Sequence, residues 1–187
     1  MSATPVRHAF SVEDLERMVA AGILREDSRV ELIEGEIVEK GPIGSRHAAC
    51  VDRLAQWMVL TCGEKAIVRV QSPIRLSPRS LPQPDVALLK YREDFYAAAH
   101  PGPADVLLVV EVADESAAYD REVKVPLYAR AGIAEVWLVV LPEKLVEGYR
   151  HPSPQGFRER VVYFPGDSLT LEGFGEVPVS QLLGARS

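Results

Sequence analysis

Two carboxylates sit inside short apolar runs, where an acid is hardest to accommodate. Asp85 opens the run Pro84-Asp85-Val86-Ala87-Leu88-Leu89, and Glu111 lies near the end of Val106-Leu107-Leu108-Val109-Val110-Glu111-Val112. Runs of this length, rich in Val and Leu and bounded by Pro, Gly or Asp, mark strands buried on both faces. A charge inside such a strand is costly unless something compensates it. Carboxylates on neighbouring strands are what Mg²⁺ takes, one or two of them, with water and substrate phosphate completing its shell. Lys124 follows Glu111 on a helix that folds back on the sheet. Its ammonium there would polarise a phosphate, help deprotonate a water or hold the pair's charge. This arrangement brings Asp85, Glu111 and Lys124 to the carboxyl edge of the sheet, the edge that active sites of open α/β sheets favour.

Each residue also has a simpler role open to it. Asp85 could begin a strand and cap a turn. Glu111 is harder to excuse, because a buried Glu is rare unless paired, and a structural salt bridge is its alternative. Lys124 could be the exposed i+4 partner of Asp120, worth a few tenths of a kcal/mol, about 0.2–0.5. Glu31 lies in an alternating segment with one face toward water. His47 reads as an incidental lone histidine, and Tyr128 as core.

The elements that must position these residues follow from periodicity. Ser11, with Asp14 three residues on, caps a helix that stops at Gly22. Arg29–Ile33 and Glu36–Glu39 alternate about a Glu34-Gly35 turn, a β-hairpin. From Ser45 to Cys62 there is no Pro or Gly, and Val51, Leu54, Ala55, Met58 and Val59 recur at helical spacing, with Trp57 and Leu60 widening the face. Strands are expected at Ala66–Val70 and Ile74–Leu76, and a proline-rich surface loop from Ser77 to Pro84 delivers the chain to Asp85. Tyr91–His100 reads as a short helix or irregular lid. A helix starting at Asp114-Glu115-Ser116 carries Asp120, Lys124 and Tyr128 four apart on one face, until Gly132 ends it. Pro126 should kink or split it. The Ala134–Leu141 strand then makes a parallel crossover with the Glu111 strand. Polar-alternating strands at Leu145–Tyr149, Phe157–Phe164 and Ser168–Leu171 and a short helix near Val179–Leu183 complete one α/β domain, residues 1–187, with a mixed sheet and a β-rich C-terminal part.

Composition sets bounds on function. The chain of 187 residues is 47% hydrophobic and 26% charged, ordinary for a globular protein. No apolar run approaches the ~20 residues that span a membrane. Residues 1–13 lack an apolar leader core, so a cytoplasmic protein is expected. Cys50 and Cys62 fall on one helix, roughly 18 Å apart and beyond disulfide reach. No Cys-x-x-Cys or His-x-x-x-His pair suggests zinc. The net charge of −6 argues against a sequence-blind nucleic-acid binder. A basic strip tempers this: Lys65, Arg69, Arg75, Arg79, Lys90 and Arg92 face only Glu64 and Asp85 between Glu64 and Arg92.

Taken together, several short motifs resemble the Uma2 family (DUF820). They are Glu31-Leu32-Ile33-Glu34-Gly35-Glu36-Ile37, His47, Pro84-Asp85-Val86, Val109-Val110-Glu111-Val112, Asp120, Lys124, Tyr128, Gly132 and Glu135-Val136-Trp137. Their order and spacing carry the likeness, which runs from about Phe10 to Tyr149. The family is placed in the PD-(D/E)xK superfamily, so the resemblance implies a restriction-endonuclease-like core and Mg²⁺- or Mn²⁺-dependent cleavage of DNA. Asp85 then matches the first metal-binding aspartate, Glu111 the second acid and Glu31 an auxiliary acid. The superfamily's lysine stands two residues after the acid, where this chain has Ala113, and Lys124 matches its displaced replacement. Asp114 and Glu115 depart from the family pattern and add negative charge beside the site. Three readings follow: a metal-dependent endonuclease, a nuclease-fold binding or assembly module without catalysis, and a carboxylate-pair hydrolase of another substrate. Cutting both strands of a duplex needs two sites, which makes a homodimer the expectation, with the chain beyond Leu145 as a candidate interface.

Overall fold

The computed structural model describes residues 7–25 and 27–184; residues 1–6, part of the stretch read as lacking a leader, lie outside them. A six-stranded mixed sheet runs in the order β3 (Ala66–Val70), β4 (Val86–Lys90), β5 (Val106–Ala113), β6 (Glu135–Val140), β7 (Leu145–Ser153), β8 (Gly156–Tyr163). Only β5 and β6 are parallel, and the helical crossover between them is the one the strand–helix–strand pattern requires. The long helix α2 (Ser45–Cys62) covers one face, with Leu54, Trp57 and Met58 packed on Leu88, Val110 and Trp137. The other face carries Tyr128 and Ile133 against Leu89, Val109 and Leu138. The central strands are thus covered on both sides, as their continuous apolar runs demand.

A third, smaller cluster joins α1 (Val12–Ala20) to the hairpin β1 (Val30–Ile33) and β2 (Glu36–Glu39). Ser11 and Asp14 form the full capping box. Gly22 at φ +70° follows the helix, and the amides of Gly22 and Ile23 bond back to Val19 and Met18, closing the end as a Schellman turn. The hairpin turns through Glu34 (φ 51°) and Gly35 (φ 89°), both left-handed as a two-residue hairpin loop requires. A second hairpin, β9 (Ser168–Leu171) and β10 (Gly175–Pro178), leads into α5 (Val179–Leu183), which lies against α2.

Several expectations are corrected. Ile74–Leu76 is not a strand; its amides bond singly to Pro82, Pro101 and Ser80 rather than to a ladder. The Ser77–Pro84 loop is at the surface only over Ser77–Arg79; Ser80, Leu81, Pro82 and Pro84 are buried. It is held under the hairpin by a Leu32–Leu81 bridge and by the Ser80 hydroxyl, which accepts from the Glu34 amide. Of the two alternatives for Tyr91–His100 the irregular one holds and the helix does not, with Phe95 and Tyr96 at positive φ. On α2, Val59 and Leu60 are exposed, because they lie more than about 100° round the helix from the buried stripe; Cys50 and Cys62 join that stripe instead. Leu145–Tyr149 is buried throughout rather than alternating, and β10 was not anticipated.

The helix expected from Asp114 onward is divided before Pro126. A single turn α3 (Ala117–Tyr119) passes into a π-turn, Asp120–Lys124, and then into α4 (Val125–Arg130). Pro126 cannot donate an amide, and its ring would crowd the carbonyl four residues earlier. Widening the preceding turn, so that the Val125 amide reaches back five residues to Asp120, accommodates it.

Candidate active site

Antiparallel pairing of β4 with β5 matches Val86 to Val110, and one residue further along the same register Asp85 stands opposite Glu111. Both side chains therefore leave the same face of the sheet, the face under α4. Glu111 is 2% exposed and Asp85 4%. The π-turn and α4 bring two groups down onto Glu111. Lys124 Nζ lies 2.7 Å from Oε1, and the Tyr128 hydroxyl donates to the same oxygen. Lys124 also donates to Glu31 Oε1 at 3.0 Å. Its exposure is 2%, and it makes no ion pair with Asp120 within 4 Å, so the exposed helix-surface role does not describe it. Asp120 instead accepts from the Ser116 hydroxyl at 2.6 Å.

Glu31 arrives from the hairpin. All four β1 residues are buried, so its expected solvent-facing alternation does not hold. The Gln83 amide donates to its Oε1 at 2.7 Å, which ties it to the proline-rich loop just ahead of Asp85. Asp85 Oδ2 accepts from the Val112 amide at 2.9 Å and meets His47 Nε2, from the first turn of α2, at 3.0 Å. His47 is thus a partner of Asp85 rather than an incidental residue, and its buried Nδ1 has no partner among the described residues. Lys40, which follows β2 directly, donates to the Gln83 carbonyl at 2.8 Å and lies 4.0 Å from Glu31.

These side chains line one cleft of about 500 Å³, which holds Glu31, Asp85, Glu111 and Lys124 together with His47, Lys40 and Asp120. Glu39, Asp114 and Glu115 add further acids to its wall. Carboxylates outnumber cations there, and the protonation equilibria respond. Burial pushes the Glu111 carboxyl up to about 8 despite Lys124, with the Asp85, Asp120 and Glu31 charges adding to the rise. Burial raises Asp120 likewise. For Asp85 burial is outweighed by the His47 hydrogen bond, the Lys40 charge and the Val112 amide, so it stays below its ordinary value. Burial disfavours the Lys124 ammonium, but Glu111, Glu31 and Asp120 overcome it and raise its affinity for the proton. His47 is raised by its bond to Asp85 against the effect of burial.

The donors suit a hard divalent cation. Lys124 and Tyr128 occupy one oxygen of Glu111, and His47 and the Val112 amide occupy one oxygen of Asp85. Asp85 keeps its second oxygen under only a 3.4 Å contact from Gln71, and the second oxygen of Glu111 has no donor among the described residues. Among the described residues no group of three or more His, Cys, Asp or Glu side chains is arranged to hold a metal ion. A carboxylate pair with water is the mode open to Mg²⁺ here. Sequence reasoning missed Lys40, the His47 contact and the Tyr128 hydroxyl bond. Only His47 carried a signal, as a histidine in the first turn of a helix near the site.

Comparison with known proteins gives a family and a fold. The Uma2 family model, described as "Putative restriction endonuclease", matches residues 12–180. The crystal structure of "a putative nuclease belonging to DUF820" from Anabaena variabilis superposes with a TM-score of 0.70 at 14% identity, covering 94% of this chain and 98% of that one. At that identity the likeness speaks for the fold. No curated protein matches the sequence significantly. No helix among the described residues is long and apolar enough to cross a membrane.

Proposed function

The chain belongs to the Uma2 family, and from that premise we propose that it is a metal-dependent endonuclease acting on DNA, built on a restriction-endonuclease-like core. The observation that carries this reading is the meeting of Asp85, Glu111, Lys124 and Glu31 in one cleft from four separate segments of the chain. Asp85 and Glu111 are the residues that would hold Mg²⁺ or Mn²⁺. Bound there, the ion would supply Lewis-acid charge to a phosphodiester and lower the pKa of a water.

The remaining roles belong to the chain itself. Lys124 is held as an ammonium by Glu111 and Glu31, which suits it to act as a charge and donor rather than as a base. It acts as a fixed positive charge and donor toward negative charge that develops on the phosphate. Glu31 aims Lys124, and Tyr128 pins one oxygen of Glu111 so that the other faces the cleft. His47 and the Val112 amide do the same for Asp85. The Lys40 ammonium, at the partly open end of its side chain, is the second cation available to a substrate phosphate. Because one site cuts one strand, double-strand cleavage would require a homodimer, which light scattering of the purified protein checks.

The test is a Mn²⁺ titration beside plasmid nicking. Saturable Mn²⁺ binding that is lost in Asp85→Ala and Glu111→Ala, with nicking lost in Lys124→Ala, is the expected result. Absence of metal binding in the native protein would overturn the reading. The acidic wall of Glu39, Asp114 and Glu115 favours a second reading, a nuclease-fold binding or assembly module that repels phosphate. Metal binding without nicking of supercoiled, linear or single-stranded DNA would select it.

A further inference from the structure

A second cavity of about 670 Å³ lies immediately across the first turn of α2 from the acidic cleft. Gly44 and His47 line the cleft, while Ser45, Arg46 and Ala49 line its neighbour. The two spaces differ in charge. The cleft is walled by acids, whereas among the described residues the second cavity is lined by Arg46, Arg53 and Lys144 and by no carboxylate. Three cations around one cavity are conspicuous on a chain of net charge −6.

These cations come from two separate parts of the fold and are differently held. Arg53, in the third turn of α2, is fixed through Nε, which donates to the Leu182 carbonyl at 2.9 Å. Its guanidinium lies flat against Gly184, where a Cβ would come within 2.8 Å of Cζ, so the space it occupies exists because residue 184 has no side chain. Its two terminal nitrogens make no hydrogen bond or ion pair among the described residues, which leaves four donors to meet a ligand. Lys144 projects from the turn between β6 and β7, exposed and without an ion pair among the described residues. Arg46 stands on the rim between the two cavities, 3.7 Å from Asp114 and with its side chain 64% exposed. Leu141 and Ala49 give the cavity an apolar floor.

A pre-positioned guanidinium flanked by two exposed cations is the chemistry that recognises phosphate oxygens. We propose that this cavity binds backbone phosphates of the nucleic-acid strand on one side of the phosphodiester held in the cleft. This rests on the endonuclease reading of the cleft. It resolves how an acidic protein holds a polyanion: the attraction is confined to a few cations one helical turn from the reacting group.

The test is fluorescence anisotropy of a labelled 20-nucleotide duplex and its single strand, with Ca²⁺ replacing the catalytic ion. The variants are Lys144→Asn, which tolerates the left-handed backbone at that position, Arg46→Gln and their double. Arg53→Ala is kept apart, because it also frees the Leu182 carbonyl. In the double variant, oligonucleotide affinity should fall about tenfold at moderate salt, and the slope of log K against log salt should drop by about 0.9 per cation removed. In Lys144→Asn alone, Mn²⁺ affinity and kcat for nicking should stay unchanged while KM rises. Unchanged affinity and salt slope in the double variant would overturn the proposal even if the protein cuts DNA. Cation-dependent oligonucleotide binding by a protein that never nicks would uphold the cavity's assignment and reject the cleft's. Inorganic phosphate that competes as strongly as the oligonucleotide, mole for mole, would overturn the nucleic-acid assignment.

Discussion

Glu111 on β5 and Glu147 on β7 stand in one transverse row of the sheet, with Leu138 of β6 paired to each of them. They point to the same face, roughly 10 Å apart at two strand spacings. Both are buried, at 2% and 0% exposure, and both accept a hydroxyl, Glu111 from Tyr128 and Glu147 from Tyr149. One helical segment serves both: Arg121 of the π-turn reaches Glu147, and Lys124 of the same turn reaches Glu111. What separates them is the balance of charge. Glu147 takes Arg121 through two nitrogens, at 3.0 and 2.8 Å, and Arg160 at 2.7 Å. Those guanidiniums outweigh burial and hold its carboxyl below the usual range. Glu111 has one ammonium, shared with Glu31, and looks onto Asp85 and Asp120; its carboxyl rises to about 8. A buried acid with surplus cations fastens the structure, whereas a buried acid with a deficit of them leaves room for a metal ion.

Removing the shared cation should have the largest effect. Lys124→Met leaves Glu111 without its ammonium and Glu31 with only Lys40 at 4.0 Å, and loss of one partner of a buried pair costs about 3–5 kcal/mol. The loss should be greatest at pH 8 and smaller at pH 5, where the stranded carboxyls take up protons. Urea unfolding at the two pH values measures it, and an equal loss at both would contradict the charge argument.

Glu147→Gln comes next. It should destabilise the protein by about 3 kcal/mol at pH 7, again by breaking a buried pair. A carboxyl with a depressed folded pKa contributes stability that is present above its unfolded pKa and lost as pH falls through the folded value. The variant's unfolding curve should therefore approach the native one in acid. A deficit that persists unchanged at acid pH would mean that packing, not charge, fastens β7 to the π-turn.

How much of this was open to the sequence depended on range. The strands around Asp85 and Glu111 and the helix without Pro or Gly are local periodicities, and both appear in the fold, whereas the π-turn interrupts the helical face expected for Asp120, Lys124 and Tyr128. The facing of Asp85 and Glu111 is a matter of register between strands more than twenty residues apart, which composition does not encode. Glu147 was passed over inside an apparently polar-alternating strand because its partners lie 26 and 13 residues away. Lys40 and Gln83 reach the site only because the buried proline-rich loop is clamped under the hairpin. A loop of Ser, Pro and Arg carries no local sign that it will be buried.

The raised Glu111 carboxyl makes a third prediction, about pH and metal together. Its folded pKa lies above the unfolded value, so the stability it contributes is fully present below the unfolded pKa and lost as pH rises to about 8. A divalent cation competes with that proton. Mn²⁺ affinity should therefore climb on the order of tenfold per pH unit up to about pH 8 and level off above it. Calorimetric titration between pH 6 and 9 follows this, and an affinity independent of pH would place the metal away from Glu111.

The smallest effect on stability is the most telling. Glu111→Gln keeps the volume of the side chain and an oxygen that can accept from Tyr128 and Lys124, while Glu31 still neutralises the ammonium. It replaces a carboxyl whose ionised form burial disfavours with a neutral amide of similar size. The midpoint of unfolding should consequently stay within about 1 kcal/mol of the native protein, or rise, as substitutions that relieve a functional site do. The same substitution two strands away, at Glu147, should cost several times that. If metal binding disappears in Glu111→Gln while stability holds, the row separates into a structural acid and a functional one. If both glutamates cost the same, the deficit of charge around Glu111 is not real, and its pairing with Lys124 is simply another fastening.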